Sequence, residues 1–453
     1  MFAQNRAMST AARYGGEGLH ESQMLLARSP APVLAMSSVD KTARMFALAG
    51  AFLLSWQLVR IPEFNFTISD AAFLVALGAV LLGGRLTPSP FGRLTVMWMV
   101  GVLLLLGGLF LGSLFHEEVE RWFNVAVQYL LALFVLPLVL ASFDREFLGK
   151  AGLAFAYGVA VSQVVGIAAL KLVGYEQLTP IVGRTIVLGN DRIGALTAEP
   201  NANGAVCVFA LVILASALLE RRIRPLLCAA TVATVVAGLV FSASFTSLLA
   251  LVALTAIIAP LTWSRGFNRV AVAGIMLATV YIGLGGPIPD IFMERVGSAI
   301  IEWDLSKAGT FEGRTSLILD AWHLANGNLL VGLGVDQFRD ASIYGAPVHN
   351  LPLLLLNEGG LLSFAGLAIL VICLFFSSAM AGGTDTVGGA ICFAALTVLM
   401  IYIMSLPHMY ARHWFGPVLL IYTYYLVPRV AAIRGFARSA SPSAATSFSG
   451  AGS

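Results

Sequence analysis

His349 stands in GAPVHNLPLLLLNEGG, residues 345–360, where polar sequence gives way to apolar, and Glu358 follows nine residues later inside the apolar run. Asn350 can cap a helix whose first turn holds Pro352, a position where the missing proline N–H costs nothing. His349 then stands just before a helix N-terminus, whose dipole disfavours the imidazolium and helps keep the ring neutral. A neutral imidazole can accept a proton from an attacking hydroxyl. A capping or interfacial histidine fits the same spacing. Glu358 would lie about 12 Å further along a continuous helix, at 1.5 Å per residue, too far to orient His349. Either the helix breaks at Gly359-Gly360 and folds back, or Glu358 serves another partner. An acid at membrane depth is a functional candidate, and a structural pair with a buried arginine is the alternative.

Two further segments carry cations that could hold an anion. GRTSLILDAWHLANGN, Gly313 to Asn328, reads as an amphipathic helix with Leu317, Ile318, Ala321, Trp322 and Ala325 on one stripe and Ser316, Asp320 and His323 on another. Gly327 with Asn328 would end it. Arg314 and Thr315 fall at its N-terminus, where free N–H groups and the helix dipole favour an anion, and a planar guanidinium can grip two phosphate oxygens at once. An exposed surface arginine is the plainer reading. GNDRIGALTAEPNANG, residues 189–204, holds Arg192, and Arg184 precedes it. Glu199, Pro200 and Asn201 form a turn into the next helix, with Asn201 or Asn203 as its N-cap. An arginine beside lipid is costly unless it meets a carboxylate such as Glu199, a headgroup or another anion.

The elements that must position these residues are membrane helices. The chain has 453 residues, 58% hydrophobic and 11% charged, against about 25% charged in soluble domains. Apolar runs near 44–60, 69–84, 94–115, 123–143, 151–173, 203–219, 226–242, 245–263, 270–285, 351–380, 389–406 and 414–428 approach the length that spans about 30 Å of hydrocarbon. About twelve transmembrane helices in an all-α polytopic membrane protein are expected, to within the break near Ser242–Phe245, which could join two runs. Arg85, Arg93, Arg145, Lys150, Arg221, Arg222, Arg224, Arg265 and Arg269 fall in loops of one parity, with Arg429, Arg434 and Arg438 in the tail. The opposite loops carry Arg60, Arg121 and Arg412, so both termini are expected to be cytoplasmic and the long loops 174–202 and 286–350 external, the latter with short helices between the ninth and tenth spans. Residues 1–43, without signal-peptide pattern, and 429–453, low-complexity from Ala437, read as disordered cytoplasmic tails flanking a transmembrane domain over 44–428.

Several function classes lack their signatures. Net charge is +3 with no basic tract, which leaves no case for nucleic-acid binding. Cys207, Cys228, Cys373 and Cys392 lie in apolar runs at spacings that fit no metal or redox motif and read as small core residues. There is no P-loop, HExxH, paired His and Cys ligand set, D-x-D or Gly-x-Ser-x-Gly elbow. Twelve spans also suit a secondary transporter, but such folds show two related halves and polar groups near the midplane, whereas here polar groups gather in two unequal loops.

The order R-x-x-G then P-N (Arg192, Gly194, Pro200, Asn201), G-R with a tryptophan on the same helix (Gly313, Arg314, Trp322), G-x-G (Gly332, Gly334) with Phe338, then H-N and E-G-G (His349, Asn350, Glu358, Gly359) resembles the superfamily of O-antigen ligases and O-antigen polymerases. The resemblance is concentrated in residues 185–380. It implies a membrane-embedded glycosyltransferase of a bacterial inner membrane, working at the periplasmic face on a glycan carried by undecaprenyl diphosphate, with no cofactor, metal or nucleotide. Carried onto this chain, His349 would be the general base on the acceptor hydroxyl and Arg192 and Arg314 the diphosphate ligands. Asn350, Glu358, Trp322, Arg184 and Asn201 would support them. The acceptor would be lipid A-core in a ligase or a second undecaprenyl-linked glycan in a polymerase, with a lean towards the ligase. Arg412 and His413, in PHMYARHWFGP, fall outside that pattern.

Overall fold

The computed structural model describes residues 37–439 apart from 62–64, 263, 265, 270, 273, 275, 277–279, 281–283, 286–287, 298–300, 302–310 and 384. Its helices are α1 (Ser38–Leu53), α2 (Ile68–Leu82), α3 (Gly92–Phe115), α4 (Val119–Leu140), α5 (Arg145–Val173), α6 (Tyr175–Val182), α7 (Pro200–Leu219), α8 (Pro225–Ser242), α9 (Phe245–Thr262), α10 (Phe311–Gly327), α11 (Gln337–Ala341), α12 (Leu351–Gly382), α13 (Thr386–Ile403) and α14 (Arg412–Ser439). Strand pairing among the described residues is confined to the hairpin Arg60–Ile61 with Phe66–Thr67 and an isolated bridge between Val187 and Ile193. The protein is an all-α membrane protein. Eight described helices, α3, α4, α5, α7, α8, α9, α12 and α13, are long and apolar enough to cross a bilayer.

The helix boundaries refine the apolar runs. The first helix begins at Ser38, where the Ser37 hydroxyl accepts the Asp40 N–H, so it starts ahead of residue 44. The break near Ser242 is real: Ala243 takes a left-handed conformation and closes α8 before α9 begins at Phe245. Helix α14 continues past residue 428 to Ser439. The expected span at 270–285 and most of both tails lie largely outside the described residues.

α7 forms the centre, with 89% of its spanning window buried. Its Asn203 is fully buried and exchanges hydrogen bonds with the equally buried Gln163 of α5, at 2.8 and 3.0 Å. Two amides satisfy each other where no water or lipid could.

α12 lies on α3 almost backbone to backbone. A Cβ on Gly108 would strike the Gly359 carbonyl oxygen and one on Gly112 the Glu358 carbonyl oxygen, the close approach that small residues allow between membrane helices. At Gly360, with φ +65° and ψ −166°, α12 kinks in a conformation open to glycine. The segment 329–334 fills the kink and satisfies the freed backbone groups. Leu333 N–H donates to Asn357 O at 2.7 Å, Gly334 N–H to Glu358 O at 2.9 Å, and Leu361 N–H to Leu329 O at 2.7 Å. A Cβ on Gly332 would collide with the Glu358 carbonyl. The G-x-G and E-G-G stretches are therefore two sides of one backbone junction, as irregular backbone at membrane depth requires.

Candidate functional site

Three elements converge on the site, and each is locked for a local reason. Asn350 caps α12 as its spacing predicts, its side chain accepting the Leu353 N–H at 3.0 Å with Pro352 in the first turn. The half-buried His349 is thereby fixed at that helix N-terminus, and its Nδ1 is buried without a hydrogen-bond partner.

α10 is docked on α12 by a small core of Leu317, Ala321, Phe338, Val348, Leu353 and Leu354. Asn357 Nδ2 adds a bond to Ala321 O at 3.0 Å. Arg314 lies in the first turn of this helix, half-buried, with its Nε buried and unpartnered. Trp322 does not share the buried stripe: it is 53% exposed while Leu317, Ala321 and Ala325 are buried. Successive positions at 100° steps carry it past the edge of the docked face.

Arg192 sits in a loop closed by the Val187–Ile193 bridge and by a Leu188 N–H to Arg192 O bond of 2.9 Å. Asp191, Ala195 and Ala198 all adopt positive φ around it. Such conformations cost free energy and persist where their surroundings hold them. The buried guanidinium donates through Nε to Ser242 O at 2.8 Å, a carbonyl left free at the C-terminus of α8, and through NH2 to Asn201 Oδ1 at 3.0 Å. Glu199 is the N-cap of α7, correcting the expectation of Asn201 or Asn203. Its oxygens accept from Asn201 N–H at 2.9 Å and Ala202 N–H at 2.6 Å, and one also takes Asn201 Nδ2 at 3.0 Å. Asn201 thus bridges Arg192 to Glu199.

The arrangement brings Arg192, Arg314 and His349 together, with one residue that the spacing did not single out. Arg295, in the turn Met293–Gly297, acts electrostatically on both Arg192 and Arg314, and its Nε is buried without a partner. Burial, then the charges of Arg295 and Arg314 against Glu199, pull the Arg192 guanidinium down to about 10. Burial and Arg295 lower Arg314 in the same way. Both remain cations at pH 7. The carboxylate that acts on both Arg192 and Arg314, that of Glu199, is committed to a helix cap. His349 is lowered to about 4 by burial, then by Arg314 and His408, so it is a neutral imidazole across the physiological range. Arg295 carried no helical period or cap signal, only the general one of a cation near a membrane edge.

Arg184 is exposed and is not among the charges acting on Arg192, Arg314 or His349. Glu358, 4% exposed, serves other partners: the backbone N–H groups of Asp336 and Phe338, at the start of α11, act electrostatically on its carboxylate, and α11 has no side-chain cap of its own. Arg412 pairs with the buried Asp70, whose Oδ2 also accepts Thr67 N–H at 2.7 Å in the α2 capping box, and donates to Asn65 O at 2.9 Å. It secures α2 and the hairpin. His413 is buried against Trp414. Among the described residues no cluster of His, Cys, Asp and Glu side chains could hold a metal ion. No protein-family model matches the chain, and no curated protein matches its sequence.

Proposed function

We propose that the protein is a membrane glycosyltransferase that moves a glycan from undecaprenyl diphosphate to a sugar hydroxyl. The observation that carries this reading is that Arg192, Arg295 and Arg314 act electrostatically on one another, and Arg314 on a neutral His349. A diphosphate leaving group gathers negative charge as its bond to the anomeric carbon breaks, and guanidiniums placed in advance stabilise that charge. His349, held neutral, accepts the acceptor proton as the oxygen attacks from the opposite side, which inverts the anomeric configuration. The order of R-x-x-G, G-R, H-N and E-G-G along the chain supports the same reading.

On this reading the chain crosses a bacterial inner membrane about twelve times, with both termini cytoplasmic and the site at the periplasmic face. The Arg and Lys bias of alternate loops supports that orientation. The favoured acceptor is lipid A-core, as in O-antigen ligation, and chain extension on a second undecaprenyl-linked glycan is the alternative.

The test uses purified protein in detergent with undecaprenyl-diphosphate-linked glycan, offered lipid A-core in one reaction and donor alone in another. Glycan on lipid A-core, lost in His349→Ala and Arg314→Ala, is expected. Lengthened undecaprenyl-linked chains in the second reaction would make it a polymerase. Silence in both with folded protein would overturn the reading and bring a transporter forward.

A further inference from the structure

The apolar face of α10 is wider than the stripe that docks. Leu317 and Ala321 pack in the small core shared with α12, while Leu319, at 58%, and Trp322 are exposed on the flank beside them. The opposite flank carries Ser316, Asp320 and His323. It is the side with polar partners, since Asp320 Oδ2 accepts the Ser342 hydroxyl at 2.6 Å. The apolar flank runs on past the end of the helix, where Leu329, Leu330 and Val331 are exposed in sequence, Leu330 at 79%. A contiguous exposed apolar surface of this kind marks a contact with a partner or a membrane.

Bonds to α12 fix the level at which this flank lies. Asn357 Nδ2 donates to Ala321 O at 3.0 Å, and Leu361 N–H donates to Leu329 O at 2.7 Å. α10 and the residues after it therefore descend alongside α12, in the same direction, as far as the Gly360 kink. The chain then turns back, tied to α12 by Leu333 N–H on Asn357 O and Gly334 N–H on Glu358 O, which is the internal satisfaction that irregular backbone needs at membrane depth. α12 is long and apolar enough to span, and Leu361 and Leu362 are exposed on it, so that surface faces lipid. Leu329 is bonded to the backbone of one of those lipid-facing residues. The exposed flank of 319–331 is thus continuous with the lipid-facing surface of α12, and a protein partner covering the flank would meet that surface as well.

We propose that α10 is a re-entrant helix, inserted in the leaflet where α12 begins, with Trp322 at the headgroup boundary and 329–331 among phospholipid acyl chains. The residue types fit these levels. Tryptophan is favoured at membrane interfaces, where one side of the ring is apolar and the other wet, and three consecutive aliphatic residues suit hydrocarbon. The consequence is a fixed height for the first turn of α10. Arg314 precedes Trp322 by eight residues, about 12 Å further out along a helix that rises 1.5 Å per residue. On the glycosyltransferase reading, on which this consequence alone rests, that holds Arg314 near the level of a lipid-borne diphosphate.

The test uses full-length protein in nanodiscs of phosphatidylethanolamine and phosphatidylglycerol, with a nitroxide on Leu319→Cys, Trp322→Cys, His323→Cys or Leu330→Cys, the four native cysteines being buried. EPR saturation reads collisions with oxygen, which concentrates in lipid, and with a nickel chelate, which stays in water. Oxygen-to-nickel ratios at 319, 322 and 330 should be several times that at 323, and highest at 330. A ratio at 330 equal to that at 323 puts the flank in water and overturns the proposal. Protection from both reagents means that protein covers the flank, a second copy of the chain included, and overturns it too. Leu330→Asp supplies a second measurement, because a charge at so exposed a position is harmless in water and costly in hydrocarbon. Its melting temperature in the same discs should fall below that of Leu330→Met, and equal melts would overturn the insertion. No donor or acceptor enters these readings, so lipid contact in a protein that transfers no glycan leaves the re-entrant helix standing and removes only its consequence for Arg314.

Discussion

Two arginine and histidine groups occur where helices meet loops, and they are built in opposite ways. Arg412 has its own carboxylate in Asp70, a carbonyl in Asn65 and an amide in Gln128, and together these close the N-terminus of α2. Arg192 and Arg314 share Glu199, which is engaged in capping α7, and both feel the charge of Arg295. The difference separates an arginine with a dedicated carboxylate from arginines whose shared acid is already engaged. A buried cation with a dedicated anion is a closed structural unit, because removing one partner leaves the other uncompensated. Arginines whose shared acid is already engaged in a cap gain from a further anion, and here Arg314 acts electrostatically on a neutral imidazole.

The largest expected effect breaks the cluster at its base. His349→Gln should lower transfer about a thousandfold, within the range for a positioned general base, while thermal stability stays close to the parent. A variant retaining a tenth of the parent rate would remove His349 from catalysis. The paired group should fail in the other way: Arg412→Met is expected to cost about 3–5 kcal/mol of stability by stranding Asp70, read as a lowered melting temperature in detergent. An unchanged melt would show that the Asp70 pair carries none of the fold's stability. Arg314→Gln and Arg295→Gln should each lower turnover about a hundredfold with melts near the parent, and unchanged turnover in both would dissolve the proposed diphosphate clamp.

pH separates the groups further. His349 is lowered to about 4 from an ordinary value of 6.5, so the unfolded chain binds a proton there more readily than the folded one. Folded stability attributable to this group is therefore complete above pH 6.5 and lost as pH falls from there towards 4. The acid limb of kcat/KM, which reports the free enzyme, should lie near pH 4 to 5 in the parent. A limb at 6.5 would show His349 to be solvated like a free imidazole.

Much of this architecture is legible in the residue order, because its signals are local. The Asn350 cap with Pro352, the stop at Gly327 and the membrane helices follow from period, capping and hydropathy. What escapes depends on contacts between distant segments. Glu358 feels the N–H groups of Asp336 and Phe338 because segment 329–334 fills the Gly360 kink and brings the start of α11 to it. Trp322 is exposed because the helix docks on a narrower stripe than its apolar residues outline. Arg295 and His408 reach the site through tertiary folding, and no spacing within their own segments announces them.

The smallest effect bears on how the two designs meet at His349. Asn350→Ala removes one accepted N–H at the start of α12, and loss of a cap costs about 1 kcal/mol. Asn350→Asp keeps the accepting oxygen and should restore that stability. Its added negative charge beside His349 should also raise the imidazole's proton affinity and move the acid limb of the rate profile upward. If Asn350→Asp recovers the melt and shifts the limb, the cap and the base share one electrostatic environment, and the fixed helix start is part of what keeps His349 neutral. If the melt recovers and the limb stays where it was, the neutrality of His349 comes from burial and Arg314, and the cap serves the helix alone.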